Sequence, residues 1–176
     1  MTPTEVQTRR AHAGDAEAIA LAHLDSIRSI GPAFYSPDVV DAWGSGLVPD
    51  IYVKAMAGGE AFFVAIGQVD GKPAMLGFSS HRVDDVQDGV SVYVRGGAAR
   101  RGIGTALLRL AEAHALESGA KSIHIQASLA GVDFYKANGF EEVGTGDALL
   151  MSGRSMPCVF MRKPLEAVQS GSGTIA

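Results

Sequence analysis

Apolar positions change their spacing several times along the chain, and each change marks a predicted element. Residues 6–10 alternate and read as a first strand, after which Gly14 and Asp15 cap a helical apolar repeat that runs to about Ile30. Gly31-Pro32 breaks that helix. Ser36-Pro37-Asp38 opens a short second one through Trp43, with proline at the first helical position, where its missing N–H costs nothing. The β-rich runs 61–66 and 74–82 flank the turn signal Asp70-Gly71, which predicts a hairpin. Residues 89–95 contain Val-Ser-Val-Tyr-Val, a period-two strand with its valines on one face, so three antiparallel strands form a meander.

Beyond Gly96-Gly97 the period lengthens. Ile103, Leu107, Leu110 and His114 share one face of a helix that ends near Gly119. Residues 122–127 return to a strand, 131–137 form a short helix, and Asn138-Gly139 supplies the left-handed residue that stops it. Residues 140–143 open another strand, the glycine-rich stretch 144–154 reads as a loop, and 156–162 make the last strand. From about Glu166 onward the chain carries too little apolar surface to offset ordering entropy, which predicts a disordered tail, 166–176, behind one domain, 1–165.

Composition narrows the function classes. With 47% apolar residues, 176 residues fill one substantial core. The longest apolar run, 61–66, is far short of the roughly 20 residues of a membrane-spanning helix. Residues 1–14 lack the apolar block of a secretory signal, and the single Cys158 has no cysteine partner, so a cytoplasmic location is expected. A net charge of -4 argues against nucleic acid as a partner and for small molecules or peptides. His81, His114 and His124 show no paired-histidine spacing and read as structural, so no metal is expected.

The segment Val-Arg-Gly-Gly-Ala-Ala-Arg-Arg-Gly-Ile-Gly-Thr, 94–105, joins a strand to a helix, where free N–H groups and the positive end of the helix dipole invite an anion. Gly102 and Gly104 let backbone approach phosphate oxygens, and Arg100 and Arg101 add positive charge. A Walker loop would need Gly-Lys-Ser/Thr where Gly-Ile-Gly stands, and a dinucleotide fingerprint would need glycine at Leu107. Some thirty residues on, Phe134-Tyr135-Lys-Ala-Asn-Gly139-Phe140 places an aromatic pair on a short glycine-stopped helix. These two motifs, at this separation, resemble those of the GNAT acetyltransferase superfamily; the resemblance covers residues 61–163 well and the first sixty only through their strand-helix-helix layout.

The resemblance implies an α/β (α+β) fold with a mixed, mostly antiparallel sheet of about six to seven strands and about four helices, built for acetyl-CoA. It implies that Val92 and Val94 offer their backbones to the pantetheine arm, and that Arg100, Arg101, Gly102, Ile103, Gly104 and Thr105 surround the pyrophosphate. Ser128 and Phe134 join the cofactor site, Tyr135 lies by the sulfur, and Tyr35 and Trp43 wall the acceptor pocket. The chain departs from the family pattern at Ala99, where Gln or Arg is usual, at Gly96, commonly proline, and at Ser128, often Asn.

The implied reaction moves an acetyl group to the amine of a small molecule or peptide. A protonated amine must first lose a proton, and Asp88, at the head of the central strand, is the first candidate base; Glu60, Asp84 and Asp85 are others, and Ser91 is placed to position a water. Tyr135 is the candidate acid for the leaving thiolate, or else a core aromatic. Tyr35, Trp43 and Cys158 have plain readings as core residues. A silent acyl-CoA sensor or partner subunit is the competing class, made credible by Ala99. Paired edge strands would allow a homodimer.

Overall fold

The computed structural model of the chain describes residues 5–84 and 87–166. Its elements are β1 (Gln7–Arg10), α1 (Ala16–Ile30), α2 (Pro37–Gly44), α3 (Pro49–Ala57), β2 (Ala61–Val69), β3 (Lys72–Val83), β4 (Asp88–Val94), α4 (Ile103–Glu117), β5 (Ser122–Ser128), α5 (Val132–Ala137), β6 (Glu141–Leu149) and β7 (Ser155–Pro164). The seven strands make one sheet in the order β1-β2-β3-β4-β5-β7-β6. Every neighbouring pair is antiparallel except β4 and β5, which run parallel and, among the described residues, pair only through Asp88 and Ile123. The mixed, mostly antiparallel sheet expected from the sequence is therefore present. Its two halves are joined at one end of β4 and part toward the other.

Strand alternation sorts the core onto two faces. Val92 and Val94 pack with Phe63, Leu76, Ile103 and Leu107 beneath α4. Tyr93 packs with Phe62, Val64 and Phe78 beneath α1 and α3. The β2–β3 turn falls at Asp70 and Gly71, whose φ values of 50° and 74° are the pair of positive angles that a two-residue hairpin turn needs.

Two expectations are corrected. Residues 144–149 are not loop but the greater part of β6, paired to β7 from Glu141 to Leu149; only the turn that follows, closed by Leu150 N–H donating to the Arg154 carbonyl at 2.8 Å, is irregular. Gly146 serves packing: a Cβ there would lie 2.6 Å from the Phe160 ring. Among the described residues a further helix, α3, forms where none was expected, with Pro49 in its first turn and Tyr52 as its buried anchor. The expected tail lies outside the described residues apart from Glu166, as does Asp85. Among the described residues no helix is long and apolar enough to cross a membrane.

The entry to α1 is fixed by Asp15, whose carboxylate accepts from both terminal nitrogens of Arg9, at 2.8 and 2.9 Å, and from the His12 amide at 2.9 Å. The Arg9 hydrogen bonds, working against burial, hold the Asp15 carboxyl down at about 2. A depressed folded-state value contributes stability above the unfolded carboxylate range and loses it as pH falls through about 2. Asp15→Asn should therefore cost about 2 kcal/mol at neutral pH. Urea melts at pH 7 and pH 3 should show the gap between the two proteins narrowing at the lower pH.

Candidate active site

The cradle begins where β4 stops. A single 3₁₀ turn, Gly96–Ala98, leads to Arg100 and Gly102, which take positive φ values of 61° and 76° before α4 starts at Ile103. Left-handed residues in such a turn direct successive N–H groups into one concavity. Among the described residues, none accepts a hydrogen bond from the backbone N–H of residues 100–105, and these groups stand at the positive end of a 15-residue helix. A Cβ on Gly102 would meet nothing within 4 Å, so the concavity is open. Ile103 contributes only its amide, since its side chain is buried in the core, whereas the Arg100 and Arg101 side chains are exposed. Gly104 lets the Phe134 ring approach, at 3.1 Å from where a Cβ would stand, and Val94 lies beside it. Val94, residues 100–105 and Phe134 are thus brought together. The glycine at position 96 has a local cause: its N–H donates to Asp25 Oδ1 at 2.9 Å, which proline could not do, and a Cβ there would sit 2.4 Å from Ser29.

Beside the cradle runs the gap between β4 and β5, which opens past Asp88 and Ile123. Tyr135 approaches it from α5, with its phenol near the Val92 main chain. The ring packs edge-on against Phe134 and Phe140, at centroid distances of 5.1 and 5.2 Å. The Tyr135 ring belongs to the buried core beneath α4 and β5. Burial pushes the phenol above its ordinary value, so it holds its proton through neutral pH. Ser128, at the end of β5, accepts the Gly131 N–H on its carbonyl at 2.9 Å and so turns the chain toward α5.

The opposite face of the sheet carries the aromatic wall. The Tyr35 hydroxyl donates to the Pro157 carbonyl at 2.6 Å and accepts from the Leu129 N–H at 2.8 Å, tying the segment before α2 to β7 and to the β5–α5 loop. Trp43 stands edge-on to Tyr35 at 5.8 Å and to Tyr93 at 6.4 Å. Tyr35 is a buried core residue with its hydroxyl fully used, and Trp43 is the more accessible of the two. Tyr35→Phe strands both partners, so it should lower stability by about 1–3 kcal/mol in a chemical melt.

Tyr93, which the sequence reading did not single out, completes the wall, and the His23 ring lies 3.8 Å from it. Burial presses His23 down to about 3, so it is neutral at ordinary pH; its Nδ1 meets the Tyr52 hydroxyl at 2.8 Å.

Asp88 lies at the joined end of β4. The β3–β4 register runs without a shift, which turns Asp88 to the same face as Val90, Val92 and Val94, toward α4. There it accepts from His81 Nε2 at 2.7 Å, while His81 Nδ1 meets His114 Nδ1 at 2.8 Å. Ser91 and Tyr93 point the other way. Ser91 Oγ is 2.8 Å from Ser80 Oγ, which donates to Glu60 Oε1 at 2.6 Å. The structure thus brings Tyr135 near Val92 and Phe134 to the cradle, and gives Asp88 to the two histidines.

Residues 58–142 match the family model described as an acetyltransferase (GNAT) domain. No curated protein sequence matches the chain. Among solved structures, the chain is similar to a GCN5-related N-acetyltransferase from Rhodopseudomonas palustris, with 23% identity and a TM-score of 0.77 over 94% of this chain and 99% of that one. It is also similar to the PaiA N-acetyltransferase of Thermoplasma acidophilum, solved with coenzyme A, with 16% identity and a TM-score of 0.72 over 92% and 99%. A third is the phosphinothricin acetyltransferase of Sinorhizobium meliloti, solved with acetyl-CoA, with 20% identity and a TM-score of 0.64 over 91% and 88%. At these identities the likeness is one of fold, and it extends over nearly the whole chain. The central part of this protein, residues 58–142, is therefore an acetyltransferase domain of the GNAT family, set within the GNAT fold.

Proposed function

We propose that this protein transfers an acetyl group from acetyl-CoA to the amine of a small molecule or peptide by direct attack on the thioester. The observation that carries this reading is the parting of β4 from β5 beside a cradle of open main-chain N–H groups. The amides of residues 100–105, with Arg100 and Arg101 above them, suit a diphosphate. Val92 and Val94 offer backbone to an extended pantetheine arm, and Phe134 and Ser128 close the sides.

Bound acetyl-CoA supplies an activated acyl carbon and a leaving thiolate. The protein's own part is to align the amine with that carbon, a gain in effective concentration on the order of 10⁵ M or more in well-oriented reactions. As the C–N bond forms and the C–S bond breaks, Tyr135 gives its proton to the departing sulfur, and the proton shed by the new amide nitrogen restores the phenol. Tyr93 and Trp43 present aromatic surface to the acceptor on the face opposite α4. Mixing the protein with acetyl-CoA and a panel of amines should release free thiol only when an amine is present. Tight cofactor binding without amine-dependent release would instead support the silent acyl-CoA sensor.

A further inference from the structure

We propose that Ser91, Ser80 and Glu60 form a proton path that takes the acceptor amine's proton from the β4–β5 gap to the protein surface. This inference rests on the transfer reaction proposed above and names the groups that prepare its nucleophile.

Ser91 lies next to Val92, whose main chain faces the Tyr135 phenol in the gap, and β4 is unpaired with β5 from this point onward. Its side chain points to the face of Tyr93 and Trp43, where an acceptor would stand, whereas Asp88 and the two histidines occupy the other face. Ser80 is directly opposite Ser91 in the β3–β4 ladder and is only 2% exposed. A buried hydroxyl is costly unless bonded, and this one has two partners, Ser91 Oγ at 2.8 Å and Glu60 Oε1 at 2.6 Å.

Glu60 immediately precedes β2 and is half-buried, so its carboxylate connects the pair to solvent. An ionised carboxylate only accepts, so Ser80 must donate to Glu60; Ser80 then accepts from Ser91, which leaves the Ser91 lone pairs free to receive an N–H. The hydrogens therefore all point from the gap toward Glu60. One proton leaves the ammonium for Ser91 as Ser91 passes its own to Ser80 and Ser80 passes its own to Glu60. The amine is left with a free lone pair, and the carboxylate gives the proton to water.

Glu60→Gln keeps an oxygen to accept from Ser80 but removes the base. The test compares thiol release from acetyl-CoA with phenethylamine, protonated at neutral pH, and O-benzylhydroxylamine, already unprotonated there. Glu60→Gln should lower kcat/KM for phenethylamine about 100-fold at neutral pH, with the loss shrinking as pH rises, and should leave the value for O-benzylhydroxylamine within about twofold. Ser91→Ala should repeat this split and Ser91→Thr should restore it, with acetyl-CoA affinity by calorimetry the same in every variant. An equal loss with both amines would show that the three residues only hold β2, β3 and β4 together, and no loss with either would show that the proton leaves elsewhere; both results overturn the proposal. A pH profile that moves in Asp88→Asn and not in Glu60→Gln would do the same. Wild-type protein that binds acetyl-CoA yet releases no thiol with either amine would defeat the transfer reaction itself, a separate failure visible before any variant is made.

Discussion

Replacing Gly102 by valine should weaken acetyl-CoA binding at least about 100-fold while leaving the protein folded, because charge-assisted hydrogen bonds contribute roughly 1.5–3 kcal/mol each and the new side chain displaces more than one. Gly102 opens α4 at φ 76°, and a Cβ there enters space that no protein atom occupies within 4 Å, the space a diphosphate would take up against the amides of residues 100–105. The cost to folding is the left-handed penalty of roughly 1–2 kcal/mol, small beside a typical stability of about 5–15 kcal/mol. Gly119 separates the two effects. It takes a φ of 95° just past the other end of α4, also with nothing within 4 Å of a Cβ, so Gly119→Val should cost similar stability and leave binding unchanged. Calorimetry with acetyl-CoA on both variants checks the pair.

The second large effect belongs to Tyr135. Tyr135→Phe should lower turnover about 100-fold, the contribution expected of one well-placed proton donor, with cofactor affinity unchanged. Its ring keeps the packing against Phe134 and Phe140, so the loss of stability should be no more than about 1 kcal/mol, the contribution of a single polar contact. Because burial raises the phenol's value, the donor stays charged with its proton across neutral pH, and the wild-type rate should show no decline from its ionisation there. Unchanged turnover in the variant would remove Tyr135 from the role of acid and leave it a core aromatic.

How far these features could be read from the chain itself depended on whether their cause was local. The β2–β3 hairpin was legible because Asp70-Gly71 is a turn signal in its own right, and α4 was legible from its apolar spacing. The open turn before α4 was legible for the same reason: glycines and arginines between a strand and a helix leave a mark in sequence. By contrast, β6 is an edge strand exposed along most of its length, so it has no apolar alternation, and Gly146 answers to Phe160 on another strand. Helix α3 is short, contains β-branched Ile51 and Val53, and buries only Tyr52 fully, which leaves too weak a repeat to see.

The acceptor side was the least legible. Glu60, Ser80 and Ser91 lie 20 and 11 residues apart and meet only through strand register. Asp88 drew attention as an acid at the head of the central strand, but strand parity turns it toward α4 and His81, a placement that only the unshifted β3–β4 ladder reveals.

Coenzyme A is expected to lie in the β4–β5 gap, held at its diphosphate by the start of α4. A crystal structure of the protein with coenzyme A tests it most directly. Diphosphate oxygens should lie within hydrogen-bonding distance of the amides of residues 100–105, with the sulfur beside the Tyr135 hydroxyl. Coenzyme A bound away from those amides, or a sulfur out of reach of Tyr135, would contradict it.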